Sequence, residues 1–161
     1  MDFEVRPIRA DDAERVAYVH HTSWVETYSG LLPASHWETD TLDARVTRWQ
    51  SLLAAPNPTL VAVVGDRIVG FVTALPAWRQ HDIDDSRHLQ LGALYVLADQ
   101  HGTGIGQALL DAAISPGTPA QLYVAKGNDR AMRFYTRNDF APDGVEVVDD
   151  RFDLTELRMV R

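Results

Sequence analysis

Apolar and polar positions change period along the chain, and each change marks an element. Val5 to Arg9 reads as a first strand. Asp11 and Asp12 then offer a helix N-cap ahead of Ala13, Val16, Ala17 and His20, which recur at helical spacing. That helix continues through Trp24 to Tyr28 and stops near Gly30, with Pro33 just beyond. Ser35 to Leu53 carries Trp37, Leu42, Val46 and Trp49 and predicts a second helix, closed by Pro56-Asn57-Pro58. Thr59 to Val64 and Arg67 to Ala74 are β-rich, and the Gly65-Asp66 dipeptide between them predicts a hairpin. Pro76 to Arg87 is polar, with Asp82, Asp84 and Asp85 close together, and reads as a loop.

The second half alternates more regularly. Leu89 to Leu97 is a predicted strand, Ala98 to Thr103 a turn, and Gly104 to Ile114 a helix with Ile105, Leu109 and Ala113 on one face. A Pro- and Gly-containing loop, Ser115 to Ala120, leads to a strand at Gln121 to Ala125. Asn128 caps a helix holding Ala131, Phe134 and Tyr135, which ends at Asn138-Asp139. Val145 to Val148 and Leu154 to Val160 supply two last strands. Helices lie between some strands but not all, which predicts a mixed sheet with a parallel pair where a helix crosses over.

Composition narrows the picture. At 161 residues with no compositional break, the chain reads as a single domain spanning 1–161. The absence of cysteine excludes disulfides, thiolate metal sites and an acyl-cysteine intermediate, and no metal site is expected. A formal net charge of −8 argues against nucleic acid, whose binding rests on Lys and Arg neutralising phosphates. It suits an amine-bearing partner, and equally a protein that is acidic for solubility. The start, Met1-Asp2-Phe3-Glu4-Val5, lacks the basic and apolar regions of a secretory signal, and no apolar run approaches the ~20 residues of a membrane span. A cytoplasmic enzyme or binding protein, with no membrane partner, is the expectation.

The chemistry gathers around three glycines. Gly102, Gly104 and Gly106 follow an apolar strand and open a helix, where backbone N–H groups and the positive end of the helix dipole can meet an anion. The spacing discriminates among anion sites. A dinucleotide fingerprint needs glycine where Gln107 stands, and a Walker loop needs Gly-Lys-Ser/Thr where Gly106-Gln107-Ala108 stands. Both patterns fail, and a simple strand-to-helix turn is the plain alternative.

The surroundings are more specific. Leu94-Tyr95-Val96, five residues, then Gly102-Thr103-Gly104-Ile105-Gly106-Gln107-Ala108-Leu109-Leu110 closely resembles the acetyl-CoA-binding motif of the GNAT superfamily of N-acyltransferases. Asn128 to Tyr135, followed by Phe140, looks like that superfamily's next motif, and His20 to Leu32 is similar to the first helix of many bacterial members. The resemblance covers nearly the whole chain. It implies an α/β (mixed α+β) GNAT-like single domain, with a mostly antiparallel central sheet, one splayed parallel strand pair and helices on both faces. It implies acetyl-CoA as co-substrate, its pantetheine arm between the strand ending at Val96 and that at Leu122 to Val124. Leu94 and Val96 backbone groups would pair with the arm, beside Tyr95, and the Val96 N–H would polarise the thioester. His101, Gly102, Thr103, Gly104, Ile105, Gly106 and Gln107 would cradle the diphosphate. Asn128 would bond the pantetheine, and Tyr135 would protonate the leaving sulfur, a role suited to a phenol.

Departures from the pattern matter too. His101 replaces a residue commonly Arg or Gln, with Lys126 and Arg130 as candidate helpers. Asp139 replaces a glycine. Gln90 and Tyr123 stand where members carry a glutamate base, and neither is an ordinary base at neutral pH. His88, two residues before Gln90 and so on the same side of a strand, is the substitute candidate, acting through water. His20, Trp24 and Tyr28 form one stripe of the first helix, either acceptor-facing or a buried aromatic face, and Gln90, Trp78 and Asp82 to Asp85 are further candidates for the acceptor side. The expectation is acetyl transfer to a primary amine by direct attack in a ternary complex. A catalytically idle acyl-CoA-binding or sensing module is the rival, and a nucleotide-binding regulatory domain falls with the failed spacings. The acceptor, a small molecule or peptide amine, stays open, as does a homodimer.

Overall fold

The computed structural model describes residues 2–77 and 87–161; Trp78 and Asp82 to Asp85 lie outside them. The strands form one seven-stranded sheet in the order β1-β2-β3-β4-β5-β7-β6. They are β1 (Glu4–Pro7), β2 (Leu60–Val64), β3 (Arg67–Pro76), β4 (Leu89–Val96), β5 (Gln121–Ala125), β6 (Ala141–Asp149) and β7 (Leu154–Val160). Among the described residues the α-helices are α1 (Ala13–Tyr28), α2 (Leu42–Leu52), α3 (Ile105–Ala113) and α4 (Asp129–Thr136). The sheet is mixed and mostly antiparallel, with β4 and β5 as the parallel pair. Two compact units make up the backbone: Met1–Thr73 with Ala93–Ala113, and Ala74–Gly92 with Ile114–Arg161.

In the first unit, β1, β2 and β3 are antiparallel, and Gly65-Asp66 closes the expected hairpin. Strand alternation assigns the layers. Phe71 points to α1 and α2, where its ring meets His20 and Trp49. Its neighbour Gly70 faces the other way, toward Leu109 of α3. Helices therefore cover both faces here. α1 buries Val16, Ala17 and Val19 completely, as its periodicity predicts. Its first turn differs from expectation. Asp12 occupies the N-cap position, as expected, but its side chain accepts no bond from the N–H groups of α1. The fully buried carboxylate instead accepts both guanidinium N–H groups of Arg6 at 2.7 and 3.0 Å, the Arg9 N–H at 2.8 Å and Arg15 at 2.6 Å.

The predicted helix over Ser35 to Leu53 is broken. A 3₁₀ turn at Ala34–Glu38 precedes α2. Thr41 adopts an extended backbone and its Oγ1 accepts from the Ala44 N–H at 3.2 Å, while Asp40 holds Arg45 at 2.6 and 2.8 Å and His36 at 2.9 Å. Such local side-chain bonds compete with a continuous helix, and here they restart it.

In the second unit, Gln90 pairs with Gln121 and Leu91 with Leu122 in parallel register, and β7 lies antiparallel between β5 and β6. β6 runs longer than predicted, from Ala141, and tolerates Pro142 because it is an edge strand. Asp139 adopts φ 66°, the left-handed backbone that the position demands. Arg161 ties the unit's loops together by donating to the carbonyls of Ile114, Ser115, Thr118 and Asn138.

Candidate functional site

The glycine turn has the geometry of an anion cradle. Gly102 and Gly104 have φ of 80° and 90°, values that L side chains rarely adopt, and a Cβ at either would project into open space. The Ala108 N–H donates to the Gly104 carbonyl at 3.0 Å, so the Ile105 and Gly106 N–H groups precede the first intrahelical donor of α3. Thr103 braces the turn through its hydroxyl, which donates to the Gln100 carbonyl at 2.7 Å. Donors at a helix start, with no side chain in front of them, fit the phosphates of a coenzyme.

The end of β4 adds a second feature. The Leu97 N–H donates to the Val69 carbonyl on β3 at 2.9 Å, so by strand alternation the amides of Leu94 and Val96 point away from β3. The Val96 carbonyl is already engaged, by His101 Nε2 at 2.8 Å. A carbonyl only accepts, so Nε2 carries the proton. What Val96 offers outward is its N–H. His101, expected at the phosphates, thus has its ring bound back onto β4. Sequence reading missed this bond, since four residues separate the partners and nothing local signals it.

The stripe on α1 comes together as predicted: His20 and Trp24 centroids lie 6.2 Å apart, and Trp24 and Tyr28 4.2 Å. Tyr95 of β4 joins it, 5.4 Å from His20 and 6.2 Å from Trp24. Two members were not anticipated. Trp49 of α2 donates from Nε1 to His20 Nδ1 at 3.2 Å, and the Arg45 guanidinium sits 5.0 Å above the Trp24 ring. Trp49 was legible as an apolar position of its helix, but its partner was not. Burial, then the charges of Arg45 and Arg48, push the His20 pKa down to about 3 against the opposing Asp40.

In the second unit, Asn128 caps α4 as predicted, its Oδ1 accepting from the Ala131 N–H at 3.2 Å. Tyr135 is buried, with its ring against Phe134 and Phe140. Gln90 is buried, and its Oε1 accepts from Gln121 Nε2 at 2.8 Å. His88 lies one residue before β4 and is exposed, whereas Gln90 is buried. Lys126, a candidate helper, pairs with Glu146 at 3.2 Å.

The mixed sheet and the open glycine turn at the start of α3 are the arrangement that the GNAT resemblance implies. The model of the acetyltransferase (GNAT) family matches residues 16–140, and the chain belongs to that family. It is similar to a probable N-acetyltransferase of Mycobacterium tuberculosis, 27% identical over 148 residues that span 89% of this chain and 82% of that protein. Among solved structures it resembles apo YjaB of Escherichia coli, at TM-score 0.70 and 24% identity over 99% and 97% of the two chains. It also resembles the PaiA N-acetyltransferase of Thermoplasma acidophilum, solved with coenzyme A, at TM-score 0.69 and 20% identity over 98% of each. No helix among the described residues is long and apolar enough to cross a membrane.

Proposed function

We propose that the protein, as one functional domain, transfers an acetyl group from acetyl-CoA to a primary amine by direct attack in a ternary complex. The observation that carries this is the turn at Gly102 and Gly104, left-handed and with open space where a side chain would project, just before α3. The bound co-substrate supplies an acetyl thioester, an activated carbonyl on a good leaving group. The Gly102 to Gln107 backbone holds its phosphates, and the Leu94 and Val96 amides and the Asn128 side-chain amide bind its arm. The Val96 N–H faces the carbonyl oxygen, where negative charge grows as the amine nitrogen attacks. The C–N bond forms, the C–S bond breaks, Tyr135 gives its hydroxyl proton to the departing sulfur, the nitrogen loses a proton to water, and water returns one to the Tyr135 phenolate.

Gln90 supports a particular kind of acceptor. Its amide has no usable basicity and is already bonded to Gln121. A site without a carboxylate there favours an amine that arrives neutral, with exposed His88 as the reserve base. The test is a thiol-release screen of acetyl-CoA against a panel of amines. Release above the hydrolysis rate with at least one amine supports the enzyme. CoA binding without release for any amine would favour the idle acyl-CoA-binding module instead.

A further inference from the structure

His20 is bonded on one side only. The indole N–H of Trp49 can only donate, so the Nδ1 it reaches at 3.2 Å holds a lone pair, and the proton of the neutral ring sits on Nε2. Around the ring stand Trp24, Phe71 and Tyr95, with centroids 6.2, 5.3 and 5.4 Å away. Among the described residues the Trp49 bond is the one hydrogen bond of this side chain. The ring is held neutral by burial and by Arg45 and Arg48. The result is a fixed N–H donor on an aromatic wall.

We propose that His20 is a specificity-determining residue whose Nε2–H binds an oxygen carried beside the amine that is acetylated, so that the preferred acceptor is an α-amino amide rather than a plain alkylamine or polyamine. The inference rests on the acetyltransferase reading above. Two considerations select this acceptor. The donor needs an oxygen opposite it, since a polar N–H left among rings once water is displaced is costly. An amine next to a carbonyl also titrates near 7.7–8.0 rather than near 10.4, and so presents its lone pair near neutral pH without a strong base. The His20 ring shares the face of β4 that carries Tyr95, opposite the face covered by α3, to whose start the phosphates are assigned. On that assignment the donor faces the side of the strand left for the acceptor.

The experiment compares phenylalaninamide with phenethylamine, which lacks only the carboxamide, in the full-length wild type, His20→Gln and His20→Phe. Each kcat/KM is expressed per neutral amine. The wild type should prefer the amide by about tenfold or more, the size of one hydrogen bond in a partly desolvated site. His20→Phe should collapse that preference, and His20→Gln, which keeps an N–H, should recover part of it. A preference identical in wild type and both folded variants overturns the proposal. A structural readout runs beside it: ¹⁵N NMR of the imidazole should show the Nε2–H tautomer, and N-acetyl-phenylalaninamide should shift that nitrogen. A Nδ1–H or doubly protonated ring, or no shift at saturating product analogue, overturns it as well. Should the wild type release no thiol with any amine, the enzyme reading fails, and the NMR arm alone decides whether His20 is an oxygen-seeking donor. If His20→Phe does not fold, His20→Gln and the NMR shift still decide.

Discussion

Gly70→Ala tests whether the site depends on the close approach of β3, β4 and α3. Gly70 has no left-handed backbone to lose, so alanine is conformationally permitted and the effect is steric. Its Cβ would stand 2.9 Å from the Tyr95 carbonyl oxygen, 3.0 Å from Leu109 Cδ1 and 3.1 Å from Val96 Cγ2. Real Cβ atoms essentially never show a contact under 3.0 Å, and the worst one here is with backbone, which cannot rotate away. Overpacking of this kind costs ~1–3 kcal/mol, against a gain of ~0.4–1 kcal/mol from the stiffer unfolded chain. The net loss should be about 1–2 kcal/mol. At ~2–4 °C per kcal/mol for a chain of this size, Tm should drop by roughly 2–8 °C. Relief requires β4 to move at Tyr95 and Val96, the residues assigned to the thioester, so kcat/KM should fall several-fold more than stability alone explains. Urea unfolding and thiol release at a temperature where both proteins are folded measure the two effects. A variant as stable as wild type would refute the close-packing argument. A destabilised variant with unchanged kcat/KM would detach the position of β4 from catalysis.

Other expectations follow from single residues. Tyr135→Phe keeps the ring packing and removes the proton, so kcat should fall by about 10²–10⁴-fold with little change in CoA affinity, as steady-state kinetics and calorimetry would show. Burial raises the Asp12 pKa, but the Arg6 bond, the Arg9 N–H and Arg15 outweigh it and hold the carboxyl below its ordinary value. A depressed carboxyl stabilises the fold above its unfolded pKa of about 3.9 and loses that contribution as pH falls below it. Wild-type stability should therefore decline below about pH 4, while Asp12→Ala should be about 3–5 kcal/mol less stable at pH 7 and show less of that decline in urea titrations. Asp139→Gly should raise Tm slightly, by relieving the left-handed backbone at φ 66°; a lowered Tm would mean that the side chain compensates. Across acceptors of graded pKa, the rising limb of kcat/KM should follow each acceptor's own pKa. A limb at one fixed pH, abolished in His88→Ala, would assign the base to the enzyme instead.

Much of the fold was legible because its signals are local. Helical spacing marked α1, the Gly65-Asp66 dipeptide marked the β2–β3 hairpin, and Asn128 marked the start of α4, each through bonds within a few residues. The glycine turn was legible for the same reason, since Gly102 and Gly104 answer a backbone demand of their own positions. Periodicity shows which side of an element is apolar, but not what meets it. Apolar spacing did not show that Asp12 would hold Arg6 instead of bonding to α1, nor that the local bonds of Asp40 and Thr41 would interrupt a helix whose apolar spacing runs on. Tertiary packing brought Trp49 to His20 from 29 residues away, and Gln121 to Gln90 from 31. The sequence alone determined that a helix start bare of side chains follows an apolar strand. Only the folded chain decided which nitrogen of His20 keeps its proton, because that depends on a donor from another helix.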